Sequence, residues 1–184
     1  DTWRAEMLII GKSGNSSSPI TFGSYPAGCA NKPTLSGAQP IAGWAASGTA
    51  NVYVADLAAG ANAGKFANGV NQLFRGSARL PMGRWPNSGY ATIDSHSGNQ
   101  ITDAALPAGD WSGAVAHIRG MTWYILNRTV TADSGSTLTL GAYPDCWDGC
   151  AGWGYFLNNH LLTLDQEGEW HYDAGTRRVY LYTT

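Results

Sequence analysis

Charged residues are scarce in this chain, and lysine is the scarcest of them. Of its 184 residues 13% are charged, against ~25% in an average domain, and three are lysines. The net charge is −2 and the pI is near 6.0, whereas nucleic-acid-binding domains concentrate lysine and arginine on one surface. We therefore predict no nucleic-acid partner.

Long apolar runs are also missing. No segment approaches the ~18 consecutive apolar residues that a membrane-spanning helix needs, and the run at 7–10 predicts a buried strand. Residues 1–4 lack the charged and apolar regions of a signal peptide. We predict no membrane insertion and expect a mature or trimmed chain.

Cysteine is rare, with three in the chain. Cys146 and Cys150 share a loop with Gly149 and the preceding Pro144. A local disulfide, two free thiols and a metal pair are all open for them. The disulfide is favoured, and the metal pair is the least favoured because structural zinc uses four ligands at recognisable spacings. Cys29 is left over, either as a buried thiol or as an exposed one able to link to another chain.

Glycine, by contrast, is abundant, and helix-forming runs are few. The chain has 24 glycines, and Gly60, Gly64 and Gly69 interrupt its one alanine-rich stretch. Short apolar segments at spacings of roughly 10–15 residues are typical of a sandwich, a barrel or a β-solenoid. The pattern predicts strands at 7–10, 20–22, 34–36, 52–55, 72–74, 114–119, 123–130, 137–140, 155–157, 170–172 and 179–182.

The last two predicted strands flank a short turn, Ala174-Gly175-Thr176, and predict a β-hairpin. Side chains alternate between the two faces of a strand, so Trp170 and Tyr172 are expected on one face and His171 on the other.

The pattern of apolar residues differs between two parts of the chain. Residues 1–58 have short apolar triplets between loops, which suits solenoid coils, while residues 70–184 have longer alternating strands, which suits antiparallel sheets packed face to face. We therefore predict an all-β fold, with short β-solenoid-like first coils at 1–58 followed by an antiparallel β-sandwich-like domain at 59–184.

Particular segments resemble a known family. Residues 1–58 are similar to the first coils of secreted right-handed parallel β-helix proteins of the pectate-lyase-like kind, in the segments 1–4, 18–25, 32–38, 43–44 and 51–53. Residues 70–184 resemble the β-sandwich that many of these proteins insert before their main helix, in the segments 72–74, 83–87, 154–157, 164–165, 168–170 and 179–182.

The resemblance implies polysaccharide chemistry, since the family includes glycoside hydrolases and polysaccharide lyases. In that family the catalytic groups and calcium ligands usually lie on later coils of the long helix. No catalytic residue is therefore carried over to this chain, and we predict no metal and no cofactor.

The residues themselves indicate little chemistry. Asp165, Glu167, Glu169 and Asp173 form the one acidic cluster, which is a solvated turn, a calcium site or the carboxylate pair of a glycosidase. In an extended strand Glu167 and Glu169 would lie about 7 Å apart on one face. The solvated turn is favoured, and the four histidines are scattered singly without a metal-binding spacing.

Tryptophan and tyrosine give the better functional indication, with eight and nine residues respectively. Their rings can lie against sugar rings while their polar groups stay hydrated. Trp111, Trp147 and Trp153 lie in or beside loops rich in glycine and aspartate and are the candidate carbohydrate-binding residues, although each also fits a packing role. Trp44, Trp123 and Trp170 lie in apolar strands and are expected in the core.

Three functions remain open. The first is a secreted, non-catalytic part of a polysaccharide-interacting β-helix protein, which contacts glycans through exposed aromatic rings. The second is a self-assembling subunit of an extracellular fibre or surface layer, a homo-oligomer or filament, with N-glycosylation at Asn15 and Asn127. The third, a small glycan-active enzyme, is the least favoured because no acid–base pair stands out. All three predict an extracellular or cell-surface location.

Overall fold

The computed structural model describes residues 2–4, 9–146 and 149–184, and these residues form an all-β protein, as predicted. Two single turns of 3-10 helix, Gly60–Asn62 and Leu161–Thr163, are the helical segments of the described chain. The strands are β1 Thr2–Arg4, β2 Thr34–Ser36, β3 Ala45–Ala46, β4 Val52–Asp56, β5 Leu73–Arg75, β6 Ala78–Leu80, β7 Arg84–Trp85, β8 Ala91–Thr92, β9 Ser95–Ser97, β10 Gln100–Thr102, β11 Val115–Ile118, β12 Leu126–Asp133, β13 Thr137–Leu140, β14 Gly154–Asn158, β15 Trp170–Asp173 and β16 Arg178–Tyr182.

The predicted strands differ from these in a few places. Residues 20–22 form no strand, and residues 7 and 8 of the segment 7–10 lie outside the described residues. β12 begins at Leu126 and not at residue 123, because the segment before it forms the connection from β11. The strands that the sequence did not predict, β1, β3 and β6–β10, are two or three residues long, too short for a visible alternation.

The backbone contacts divide the chain into two units, Asp1–Ile41 and Ala42–Thr184. The sequence places the boundary later, after residue 58. β4 lies in the second unit because it pairs along all five of its residues with β16.

The described residues of the first unit contain one pair of strands. β1 and β2 pair in parallel, with Trp3 opposite Leu35. Every described residue of this unit is at least partly exposed, and the large apolar side chains of Ile9, Ile10 and Phe22 are among them.

The second unit is built around a large antiparallel sheet. Its strand order is β7-β14-β11-β12-β13-β10-β9, and β8 also pairs with β14. Ala116 and Ile118 of β11 and Tyr155 and Leu157 of β14 point to the buried face, where they join the main apolar core. The alternate residues of the same strands therefore lie on the outer face.

A smaller sheet, in the order β15-β16-β4-β3, completes the second unit together with the β5-β6 hairpin. The predicted hairpin is present, with Trp170 opposite Leu181. Trp170 is 2% exposed, and its indole Nε1 donates to the Leu80 carbonyl over 3.2 Å. His171 on the other face is also buried, so both faces of β15 are covered at this end.

Candidate functional site

An open groove lies where β11 ends and β14 begins, on the outer side of the large sheet. We call it the aromatic groove, and its volume is about 530 Å³, within the range of small-molecule sites. Trp123 is 78% exposed and Tyr90 is 44% exposed, so both rings present a free face. The groove is lined by Tyr90, Arg119, Thr122, Trp123, Tyr124 and Ile125.

Tyr90 is positioned by the close approach of its side chain to Gly154. β8 pairs with the start of β14, with Thr92 opposite Gly154, and Tyr90 immediately precedes β8. A Cβ atom at Gly154 would lie 2.8 Å from the Tyr90 Cβ, closer than side chains tolerate. Glycine is therefore the residue that lets the Tyr90 side chain pack this closely on the start of β14.

The turn before Tyr90 is fixed by an arginine. Arg84 of β7 donates from Nε to the Pro86 carbonyl over 3.0 Å and from Nη2 to the Gly89 carbonyl. Its guanidinium carbon lies 4.0 Å from the centre of the Phe156 ring, a cation–π contact. The turn and the sheet are thus joined through one side chain.

The outer face beside the groove is itself aromatic. Phe156 stacks on His117 with ring centres 4.3 Å apart and planes 7° from parallel. The Tyr90 ring lies 6.0 Å from Phe156 on the neighbouring position. This row of rings gives Tyr90 a rigid support on the sheet.

The other wall of the groove is the connection between β11 and β12. The Tyr124 hydroxyl donates to the Asp145 carbonyl over 2.7 Å. A Cβ atom at Gly120 would lie 3.2 Å from that carbonyl oxygen and 3.3 Å from the Cys146 Cα. The structure joins Cys146 to Cys150 in a disulfide, so the wall of the groove packs against a cross-linked loop.

Removing this cross-link in a Cys146→Ala, Cys150→Ala double variant is expected to lower the free energy of unfolding by about 2 kcal/mol, because the unfolded chain regains the entropy of the closed loop. Urea unfolding of the wild type and the double variant measures the difference.

The matched control is Cys29→Ala. Cys29 is a free, partly buried thiol, and its removal is expected to leave stability within about 0.5 kcal/mol of the wild type. Equal stability of the wild type and the double variant would contradict a bracing role for the disulfide.

The described lining residues of the aromatic groove are neutral apart from one cation. Arg119 follows β11, and its backbone N–H donates to the Gly154 carbonyl over 2.8 Å. Aromatic surfaces beside one guanidinium are groups that can bind a ligand.

Two of the three candidate tryptophans are among the described residues, and neither lines the groove. Trp111 is 1% exposed and its Nε1 donates to the Pro107 carbonyl over 3.0 Å, so the prediction that it contacts sugars is corrected: its ring is part of the core. Trp153 is partly buried beside the start of β14 and does not line the groove. Trp147 lies outside the described residues.

The acidic cluster is divided between two environments. Glu169 is 4% exposed, and its Oε2 accepts from the backbone N–H groups of Asp165 and Gln166 at 3.0 and 2.9 Å. Burial raises the pKa of Glu169. Glu167 is exposed, and the backbone N–H of Thr184 together with the Arg75 guanidinium lowers its pKa to about 2. The two carboxylates do not share a strand face, because residues 166–169 form a turn.

Two histidines of the second unit lie in buried surroundings. His171 stacks on Tyr180 with ring centres 5.7 Å apart, and its Nδ1 lies 3.0 Å from the Asn159 Oδ1. Burial, with the nearby His160, lowers the pKa of His171 to about 4. Burial also lowers the pKa of His160, whose ring lies 5.6 Å from that of Trp111.

The two sequon asparagines are both exposed. Asn15 lies in a turn, where its Oδ1 accepts from the backbone N–H groups of Ser17 and Ser18. Asn127 lies on β12 opposite His117. Glycosylation at these positions stays a prediction.

The groove residues were missed for an identifiable reason. The expectation that Trp123 belongs to the core was wrong, because the alternation of residues 121–126 was interpreted as a continuous strand. Residues 119–125 connect two antiparallel neighbours, β11 and β12, so part of this run must turn. Gly120 after Arg119 was the available indication of that turn.

The described part of the chain lacks both a membrane-spanning helix and a cluster of metal ligands. Its helical segments are single turns, so no helix there could cross a membrane. No three histidine, cysteine, aspartate or glutamate side chains in the described ranges come together as a metal site would require.

Comparison with known proteins adds a likeness in fold. No protein-family model matches the sequence, and no curated protein matches it. A solved structure titled glycoside hydrolase superposes on 86% of this chain with a TM-score of 0.58 and 19% sequence identity. This chain spans 30% of the length of that structure's chain.

Proposed function

We propose that this chain is a secreted, non-catalytic, glycan-binding part of a larger polysaccharide-interacting protein, and that the aromatic groove is its binding site. The observation that favours this function most is the Trp123 ring, 78% exposed beside Tyr90 and held in a groove. A large apolar ring exposed to water is unfavourable, and Trp123 shares one groove with a second exposed ring, Tyr90. Two exposed aromatic rings in one groove favour a ligand-binding role.

Sugar rings match this lining. The C–H groups on one face of a pyranose pack against an aromatic face, while the hydroxyl groups at its edge need hydrogen-bonding partners. The Trp123 and Tyr90 rings offer the stacking surfaces, and Thr122 and Arg119 offer polar groups in the same groove. This combination of apolar faces and a few polar groups is typical of ligand sites.

The setting of the groove supports a polysaccharide context. The parallel pairing of β1 with β2 is the arrangement expected of successive solenoid coils, in line with the resemblance of residues 1–58 to pectate-lyase-like β-helix proteins. Separately, the solved structure that superposes on this chain is titled glycoside hydrolase, which supports a carbohydrate-related role. The disulfide fits an oxidising, extracellular compartment. Filament formation stays a prediction.

The variant Trp123→Ala tests the site directly. It is expected to weaken glycan binding about tenfold, because an exposed aromatic ring at the centre of a binding surface is a typical energetic hot spot. A glycan array identifies the ligand, and isothermal titration with that ligand then compares the two proteins.

The control variant is Phe74→Ala, since Phe74 is another exposed aromatic residue, on the β5-β6 hairpin and outside the groove lining. Its affinity is expected to equal that of the wild type. If no glycan binds the wild-type protein, the proposed function is wrong. If glycans bind but Trp123→Ala and Phe74→Ala behave alike, the groove is not the binding site.

A further inference from the structure

We infer that the aromatic groove is formed for binding only in the oxidised chain, because the Cys146–Cys150 disulfide positions the connection that carries Trp123. The inference rests on the proposed function, since it concerns how the same site is regulated. Cysteines stay as thiols in the reducing compartments of a cell, and disulfides form outside them. Glycan binding is thereby confined to a chain that has been exported and oxidised.

The connection between β11 and β12 is anchored at few points. Residues 120–125 form no backbone–backbone hydrogen bond within the described ranges of the chain. The hydroxyl of Tyr124, which donates to the Asp145 carbonyl over 2.7 Å, supplies a hydrogen bond that ties them to the rest of the unit. Trp123 and Ile125, which flank Tyr124 in the chain, are both exposed, so neither is a buried anchor. The position of Trp123 therefore depends on the position of the Asp145 carbonyl.

The Asp145 carbonyl is itself held in an uncommon backbone conformation. The φ angle of Asp145 is 49°, in the left-handed region, where a residue other than glycine stays only if its surroundings hold it there. Pro144 before it is buried, and Cys146 after it is cross-linked. Reduction removes the second restraint. A return of Asp145 to a more favourable φ then moves its carbonyl away from Tyr124.

The other end of the disulfide is fixed in the main apolar core. Cys150 is fully buried there. Its carbonyl accepts from the Trp153 N–H over 3.1 Å, and the Trp153 carbonyl accepts from the Ile93 N–H over 2.9 Å. The disulfide therefore joins a fixed point of the core to the loop that positions Tyr124.

Oxidation is a thiol–disulfide exchange with an external disulfide. The external disulfide is reduced to two thiols, while the thiols of Cys146 and Cys150 lose their hydrogens and the two sulfurs join. The reverse exchange, with an external dithiol, restores the two thiols. Cys146 is the partly exposed member of the pair and Cys150 is buried, so an external thiol attacks at Cys146. The disulfide can therefore be reduced without unfolding of the chain.

The first test needs no ligand. NMR relaxation gives the backbone order parameters of residues 121–125 in the oxidised wild type and in the wild type reduced with dithiothreitol. Reduction is expected to lower them from about 0.85, typical of a rigid backbone, to below about 0.6, while the order parameters of β10 and β13 stay unchanged. Unchanged order parameters of residues 121–125 would overturn the inference.

Tyr124→Phe tests the path from the disulfide to the groove. The variant keeps the ring and the cross-link but lacks the hydroxyl that donates to Asp145. It is expected to lower the order parameters of residues 121–125 in the oxidised chain. Because its disulfide is intact, this variant also decides the test if reduction unfolds the protein. Order parameters equal to those of the oxidised wild type would show that Asp145 does not hold the connection, and the inference would fail.

Affinity is then measured by isothermal titration, with the array glycan that binds the wild type most tightly as the probe. Reduction is expected to weaken binding about tenfold, because the glycan then binds only the fraction of molecules in which the groove is formed, about one tenth. The Cys146→Ala, Cys150→Ala double variant is expected to bind as weakly as the reduced wild type, with or without dithiothreitol.

The matched control is Cys29→Ala, which removes the free thiol and keeps the disulfide. It is expected to match the wild type in both redox states, in affinity and in order parameters. If Cys29→Ala abolished the effect of dithiothreitol, the effect would belong to Cys29 and the inference would be wrong.

The outcomes separate the two proposals. Equal affinity of the oxidised and reduced wild type would overturn the redox dependence while leaving glycan binding intact. Absence of glycan binding by the oxidised protein would overturn the proposed function, whether or not reduction loosens residues 121–125. A loosened connection together with about tenfold weaker binding on reduction supports both.

Discussion

Replacing Trp111 with alanine is expected to lower the free energy of unfolding by about 3–5 kcal/mol, the cost of removing a large aromatic side chain from a core. Trp111 is fully enclosed, with its ring 6.0 Å from that of Trp85. The substitution also leaves the Pro107 carbonyl without its indole donor. Urea unfolding followed by circular dichroism measures the loss.

Trp123→Ala is the matched control, because it removes the same side chain from an exposed position. Its free energy of unfolding is expected to stay within about 0.5 kcal/mol of the wild type. The two variants thus separate the roles of two tryptophans, one needed for the fold and one that we propose contacts the ligand. A small effect of Trp111→Ala would contradict its place in the core.

Acidification from pH 7 to pH 4 is expected to lower the free energy of unfolding by about 2–3 kcal/mol through His171. Burial lowers the pKa of His171 from its ordinary value of 6.5 to about 4 in the folded protein. Between these values the unfolded chain takes up a proton that the folded chain does not. The contribution of neutral His171 to the free energy of unfolding is therefore fully present above pH 6.5, and it is lost as the pH falls towards 4.

Other titratable groups also change the free energy of unfolding in this experiment, each over its own pH range. His160, whose pKa is also lowered by burial, adds to the loss. Glu169 opposes it, because a raised carboxyl pKa favours the folded state as the pH falls. The lowered pKa of Glu167 acts mainly below pH 4.5, where the unfolded chain takes up its proton first.

His171→Phe isolates the contribution of His171, since phenylalanine can still stack on Tyr180 but cannot be protonated. Unfolding is measured at intervals between pH 7 and pH 4 for both proteins. The variant is expected to show a flatter decline than the wild type. Parallel curves would mean that His171 takes up its proton equally in both states.

The sequence predicted those strands in which apolar and polar residues alternate along the chain. The β15-β16 hairpin was predicted with its turn, because Trp170, Tyr172 and Val179 alternate with polar neighbours around Gly175. The main strands of the large sheet were located for the same reason. Strands such as β7 and β8, each two residues long, exist because β14 pairs with them, and a sequence pattern cannot show that pairing.

The groove was not predicted, because exposure of a tryptophan depends on contacts distant in sequence. Trp111 follows Asp110 in a polar loop and yet is enclosed by the core, while Trp123 lies in an apolar run and yet faces solvent. Trp111 packs against Trp85, and Trp123 lies on a connection that packs at Gly120 against the disulfide loop. Local composition made Trp111 the sugar-binding candidate and Trp123 a core residue, and their exposures in the structure are the reverse.

The shape of the aromatic groove depends on Gly154. Because the Tyr90 Cβ occupies the space that a side chain at position 154 would need, even an alanine there would displace Tyr90 from the start of β14. The proposed binding site is therefore sensitive to a strand position that is not itself among the residues lining the groove.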